Sequence, residues 1–149
     1  MQIRRAARTV IFDENNRVAI LEVQDGAYHK IPGGGIESNE TEELAAIREA
    51  IEEAGCDTEL MNKLGELEFI DPDHNEMIHH SVCFLARKIK EHKTTNFTEH
   101  EIKNRFRLTW LNIDEAVKLF KALKSAKPFE IAMNNRDLEF LILAKKYLK

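Results

Sequence analysis

Cysteine is scarce in this chain: only Cys56 and Cys83 occur among 149 residues. They share no motif spacing, which argues against a disulfide framework or a cysteine metal site. Two reduced, partly buried thiols are expected. Proline is nearly as rare. Pro32, Pro72 and Pro128 are widely separated and read as local punctuation, with no linker or proline-rich tract. Internal repeats and low-complexity segments are missing. No apolar run approaches the roughly 20 residues that cross a bilayer, so no membrane association is expected. Residues 1–8 are basic but pass into an alternating segment, without the apolar stretch of a signal peptide. A cytoplasmic location is expected. An excess of positive charge is lacking too, since the formal net charge is −4. A mildly acidic chain has no general attraction to long nucleic acid or to an anionic membrane. Any phosphate binding must be local, through a metal or a few basic groups.

What is present fits a folded protein. An apolar share of 43% with 32% charged residues suits a globular chain and opposes disorder. Residues 1–149 are expected to form one domain. Residues 3–12 and 18–23 flank the polar turn Asp13-Glu14-Asn15-Asn16 and read as a hairpin. Residues 28–31 form a short strand candidate before Pro32 and three glycines. A helix starts near Asn39 to Thr41, with either residue as its cap, and stops at Gly55. Its core face is expected to be Leu44, Ile47, Ile51 and Ala54. Strands are expected at 66–70, 77–89 and 106–111, and helices at 113–123 and 134–148. The last helix is expected to pack on its own domain through Leu138, Leu141 and Leu148. This mixture without regular alternation predicts an α+β fold, a mixed sheet flanked by helices.

One segment carries chemistry. Gly33, Gly34 and Gly35 leave no side chains to block close approach, just before the helix. The helix then presents Glu49, Glu52 and Glu53 at helical steps, expected away from its apolar face. Neighbouring carboxylates repel by about a few tenths of a kcal/mol per exposed pair. They also sit toward the helix C-terminus, where the macrodipole disfavours anions. A hard divalent cation removes that penalty, because carboxylate oxygens are its preferred ligands. Arg48 is placed to hold the acidic cluster in one geometry, and Glu40 to brace the loop.

Together these residues resemble the Nudix box. Gly34, Glu40, Arg48, Glu49, Glu52, Glu53 and Gly55 all stand at that motif's spacing over residues 34–56. Ala50 and Cys56 depart mildly, being smaller than the aliphatic residues usual there. The neighbouring strands, and Trp110 ahead of a helix, also look like the family's domain. The resemblance implies a mixed β-sheet sandwiched between α-helices. It implies a Mg2+-dependent hydrolase, with Mn2+ as a possible substitute, that cuts a diphosphate linkage by water attack. Glu49 and Glu53 would be the principal metal ligands. Glu52 would be a further ligand or the base, and the Gly33 carbonyl another donor. Arg48 and Glu40 would orient the cluster, and Gly34 and Gly55 would shape the backbone around it.

Outside the motif, Glu99 and Glu101 are candidates for an additional carboxylate, as many family members use one. Glu37 and Tyr28 are candidates to face the substrate, while Phe69, Phe84 and Trp110 are expected in the core. His74, His79 and His80 lie close in sequence, but strand alternation sends His79 and His80 to opposite faces, which opposes a zinc site. The expected substrate is a small nucleoside diphosphate derivative, such as an oxidised deoxynucleoside triphosphate or an ADP-ribose-like compound. Long nucleic acid is not an expected partner. The alternative is a catalytically silent domain that binds a nucleotide or regulatory partner. The residues set no oligomeric state.

Overall fold

The computed structural model describes residues 1–92 and 94–148. Strand β1 (Gln2–Phe12) is the organising element. It runs parallel to β6 (Met77–Glu91) along its whole length, from Gln2 opposite Met77 to Phe12 opposite Arg87. Its other edge is shared: Ala6 to Arg8 pair with the glycine strand β4 (Gly33–Gly35), and Phe12 meets Val18 of β2 (Arg17–Val23). Strands β3 (Tyr28–Lys30) and β7 (Arg107–Asn112) both pair with β2, and β5 (Cys56–Ile70) closes the far edge beside β6. The result, among the described residues, is a seven-stranded mixed sheet.

Period-two alternation divides the sheet between two layers. Ala7, Ile11 and Ala19 face helix α1 (Glu42–Ala54), packing against Ala45, Ala46, Ala50 and Ala54. Val10, Phe12, Val18 and Ile20 face the other way. They meet Phe120 of α3 (Ile113–Lys121) and Phe140 and Leu141 of α4 (Pro128–Lys145). The mixed sheet between helical layers is therefore as expected. Leu138 and Leu148 pack against this same core, so α4 covers its own sheet.

Four boundaries differ from the sequence reading. Strand β5 begins at Cys56, ten residues before the expected start at residue 66. Its early half is a polar edge with register shifts after Asp57, Leu60 and Lys63, and these bulges break the alternation that marks a strand. The glycines form a strand where a loop was expected. A short helix, α2 (Glu99–Lys103), occupies a stretch read as loop. Helix α4 starts at Pro128, six residues before the expected residue 134, with that proline in its first turn where a missing N–H costs nothing.

Candidate active site

Helix α1 is capped as its sequence demands. The Thr41 hydroxyl accepts from the Leu44 N–H at 3.1 Å, which settles the choice between Asn39 and Thr41. Gly55 ends the helix in the left-handed region at φ 62°, where a Cβ is disfavoured. The buried face is not the expected one. Leu44 is 55% exposed, and Ile47 and Ile51 are only partly buried. The buried stripe is Ala45, Ala46, Glu49, Ala50, Glu53 and Ala54. Alanine wins these positions because small side chains let the helix lie close on the sheet. That rotation carries Glu49 and Glu53 inward rather than into solvent.

Gly33 and Gly34 complete the pocket around them. The Gly33 N–H donates to Glu53 Oε1 at 2.8 Å. A Cβ on Gly34 would lie 2.4 Å from Glu49 Oε1, so only glycine leaves room for that carboxylate. Glu53 Oε2 is buried with no donor facing it. Burial pushes the Glu53 carboxyl well above the usual range. Lys30 opposes this, and Glu101 and Glu49 add to it. Glu49 is likewise pushed up by burial, against the pull of Arg48. Burial also raises Glu101. The neighbouring Glu53 side chain, the Thr98 backbone N–H and nearby Lys30 outweigh that and hold it below its ordinary value.

Arg48 gathers the rest. Its Nε and Nη2 donate to the two Glu40 oxygens at 2.6 and 2.8 Å. Its Nη1 reaches Glu49 at 2.9 Å and Glu52 at 3.3 Å, and Nη2 also donates to the Gly35 carbonyl at 3.0 Å. The bidentate grip of Arg48 draws the Glu40 carboxyl down to about 2. Arg48 thus contacts Glu40, Glu49 and Glu52 together. Glu37 lies 3.7 Å from Arg48 and its side chain is mostly exposed.

Among the described residues, no three acidic, histidine or cysteine side chains converge as a ready-made cation site. Arg48 takes up oxygens of both Glu49 and Glu52. The donor set still suits a hard divalent cation. It is all carboxylate, it includes one buried oxygen without a partner, and burial, with Glu101 and Glu49 nearby, raises the Glu53 carboxyl. A cation would relieve each of these costs.

These groups open onto a cavity of about 580 Å3. Its acidic lining residues are Glu37, Glu49, Glu52 and Glu101. Of the two extra carboxylates anticipated outside the motif, only Glu101 reaches it. Glu99 is exposed and absent from the lining. A capping box holds Glu101: the Thr98 N–H donates to it at 2.9 Å, while the Thr98 hydroxyl accepts from the Glu101 N–H. The Thr98-x-x-Glu101 pattern was the available signal. Tyr28 and Glu37 line the cavity. Phe84 is buried in the core and Trp110 packs partly against it, as anticipated. Phe69 differs from its expected core place. It stacks on His79 at 4.9 Å and meets Phe129 edge-on beside the cavity. His79 binds Asp71 while His80 binds Glu66 and Glu68, so the two histidines do diverge.

Sequence reading missed the basic and aromatic part of the lining. It is formed by Arg8, Lys30, Phe106, Phe129 and Arg136, drawn from three separate elements and a loop. No local pattern marks them, because each looks like an ordinary residue of its own strand or helix.

Comparison with known proteins agrees with the motif and the fold. A family model, the NUDIX domain, matches residues 2–132. Nudix hydrolase 16, mitochondrial, of Arabidopsis thaliana is 38% identical over 106 residues, covering 68% of this chain and 57% of that protein. Nudix hydrolase 4 of the same plant is 35% identical over 100 residues, covering 67% and 45%. The chain thus spans about half the length of the curated relatives it matches. A NUDIX hydrolase structure from Nitrosomonas europaea superposes with TM-score 0.67 at 17% identity, over 93% of this chain and 89% of that one. An ADP-ribose pyrophosphatase from Streptococcus suis gives TM-score 0.63 at 19% identity, over 97% and 90%. At such identities these structures speak for the fold. With the family model spanning most of its length and the motif intact from Gly34 to Gly55, the chain belongs to the Nudix family.

Proposed function

We propose that this protein is a Mg2+-dependent pyrophosphohydrolase that cuts the diphosphate linkage of a small nucleoside diphosphate derivative, acting as a single domain. The observation that carries the reading is the shared cavity. Glu49, Glu52 and Glu101 line it together with basic and aromatic groups, and Glu53 is buried next to Gly33 of the same lining. Glu49, Glu53 and Glu101 would hold Mg2+, or Mn2+ in its place, with Glu52 and the Gly33 carbonyl as further donors. When bound, the cation neutralises diphosphate charge and lowers the pKa of water. Glu52, only partly buried, is the candidate base for the attacking water. Arg48 holds Glu49 and Glu52 in place through Glu40. Tyr28 and Glu37 are placed to touch the substrate's non-reacting part.

ADP-ribose-like compounds lead the substrate proposals, since a fold neighbour is named an ADP-ribose pyrophosphatase. Long nucleic acid fits poorly with the net charge of −4. Among the described residues no helix is long and apolar enough to cross a membrane. A cytoplasmic location remains the proposal from sequence, although one relative is named mitochondrial.

The test is Glu53→Gln assayed with Mg2+ on a panel of nucleoside diphosphate derivatives. Turnover is expected to fall roughly 100-fold or more while the circular dichroism spectrum stays unchanged. Full turnover in that variant would sink the assignment.

A further inference from the structure

The cavity lining also holds two buried arginines, each with a buried side-chain donor that the fold leaves without an acceptor. Arg8 lies on β1 on the same face as Arg4 and Ala6, and Arg136 lies on α4 across from it. Arg8 is 7% exposed and Arg136 6%. Each commits only its Nε to a protein acceptor among the described residues. Arg8 donates to the Ser81 hydroxyl at 3.1 Å, and Arg136 to Asp137 Oδ1 at 2.9 Å. Arg8 Nη1 and Arg136 Nη2 are buried with no acceptor. Arg8 makes no ion pair at all among the described residues. Buried donors left unmade are costly, and buried charges more so. A folding core would place methionine or leucine here at lower cost. Both guanidinium groups line the cavity, and half-buried Lys30 adds a third cation beside them.

We propose that Arg8 and Arg136 form an oxyanion subsite that takes a phosphoryl group of the substrate. The planar guanidinium fork matches a tetrahedral phosphate through paired N–H donors. The unpaired nitrogens are supplied with acceptors only when that anion arrives. The subsite is distinct from the carboxylates, which repel phosphate without a cation. It rests on the hydrolase reading only for the word substrate. The phosphoryl group has two sources, the diphosphate itself or a further phosphate monoester elsewhere on the molecule.

The test is calorimetric titration of the whole chain with inorganic phosphate under chelation, which removes any cation and any turnover. The wild type is expected to bind. Arg8→Met is expected to bind at least about tenfold more weakly, the loss of one charged hydrogen-bond pair. Arg8→Met leaves no buried carboxylate stranded, so it folds, and its Tm in phosphate-free buffer is expected to equal or exceed the wild type. Arg136→Lys serves as the second variant, because it keeps a cation beside Asp137 while removing the fork. It too is expected to lose affinity. A wild type that fails to bind phosphate, or variants that bind it equally well, overturns the proposal. Titration with ADP-ribose and with its 2′-phosphorylated form identifies the source. Equal loss for both in Arg8→Met assigns the diphosphate, and loss confined to the phosphorylated compound assigns the additional monoester. No loss for either overturns the subsite. None of these readouts depends on turnover, so inactive Glu53→Gln protein serves equally, and the hydrolase reading stands or falls separately.

Discussion

At the scale of single residues, the site depends on what is missing as much as on what is charged. Gly34 has no side chain, and that gap is where the Glu49 carboxylate lies. Gly34→Ala is expected to displace Glu49 while leaving the backbone alone, since the clash is with the flexible end of a side chain. Turnover is expected to fall roughly 100-fold, as for other small misplacements of a reacting group, with Tm nearly unchanged. Steady-state kinetics beside a thermal melt checks this, and a large loss of Tm would show a structural role instead. Gly34, Glu49 and Glu53 were legible because they lie within one short segment whose chemistry conflicts with its own stability. Arg8 and Arg136 were not legible. They are ordinary in their own neighbourhoods and become unusual only when β1 and α4 meet.

At the scale of elements, α1 shows how a helix can be located correctly and rotated wrongly. Its cap at Thr41 and stop at Gly55 follow from local hydrogen bonds and backbone conformation. Hydropathy favoured Leu44, Ile47 and Ile51 as the buried face, but the sheet selected the alanines. Ala46 is fully buried against β1, so Ala46→Leu is expected to overpack that contact and destabilise by about 1–3 kcal/mol in urea unfolding. Leu44→Ala, on the exposed turn, is the matched control and should cost far less. The β5–β6 pair offers a pH test remote from the site. His80 bonds Glu68 at 2.6 Å and Glu66 at 2.7 Å. The Glu68 bond, reinforced by Glu66, raises the imidazole above its ordinary 6.5. The folded value exceeds the unfolded one, so this contribution is full below 6.5 and is lost as pH rises through the folded value. With both glutamates largely exposed, its size is under about 1 kcal/mol. Unfolding free energies of wild type and His80→Gln at about pH 5.5 and about pH 8.5 should differ more at the lower pH. A gap that widens with pH would refute this.

At the scale of the whole molecule, two helical layers clamp one sheet, and the cavity opens where the sheet's β1 end escapes the core. Phe140 is fully buried between α4 and the sheet with Phe12 and Phe120 in the same cluster. Phe140→Ala is expected to cost about 3–5 kcal/mol, a large part of a typical domain's stability of roughly 5–15 kcal/mol. Denaturant unfolding measures it, and a loss below about 1 kcal/mol would mean the layers close over the gap. The family, the acidic cluster and the Gly55 end of α1 were determined by sequence alone, because backbone conformation, helical spacing and charge repulsion act over a few residues. Tertiary structure alone decided which face of α1 is buried, that Glu101 rather than Glu99 joins Glu53, and that Arg8 faces Arg136. Those outcomes depend on contacts between residues far apart in the chain, and no local pattern encodes such a meeting.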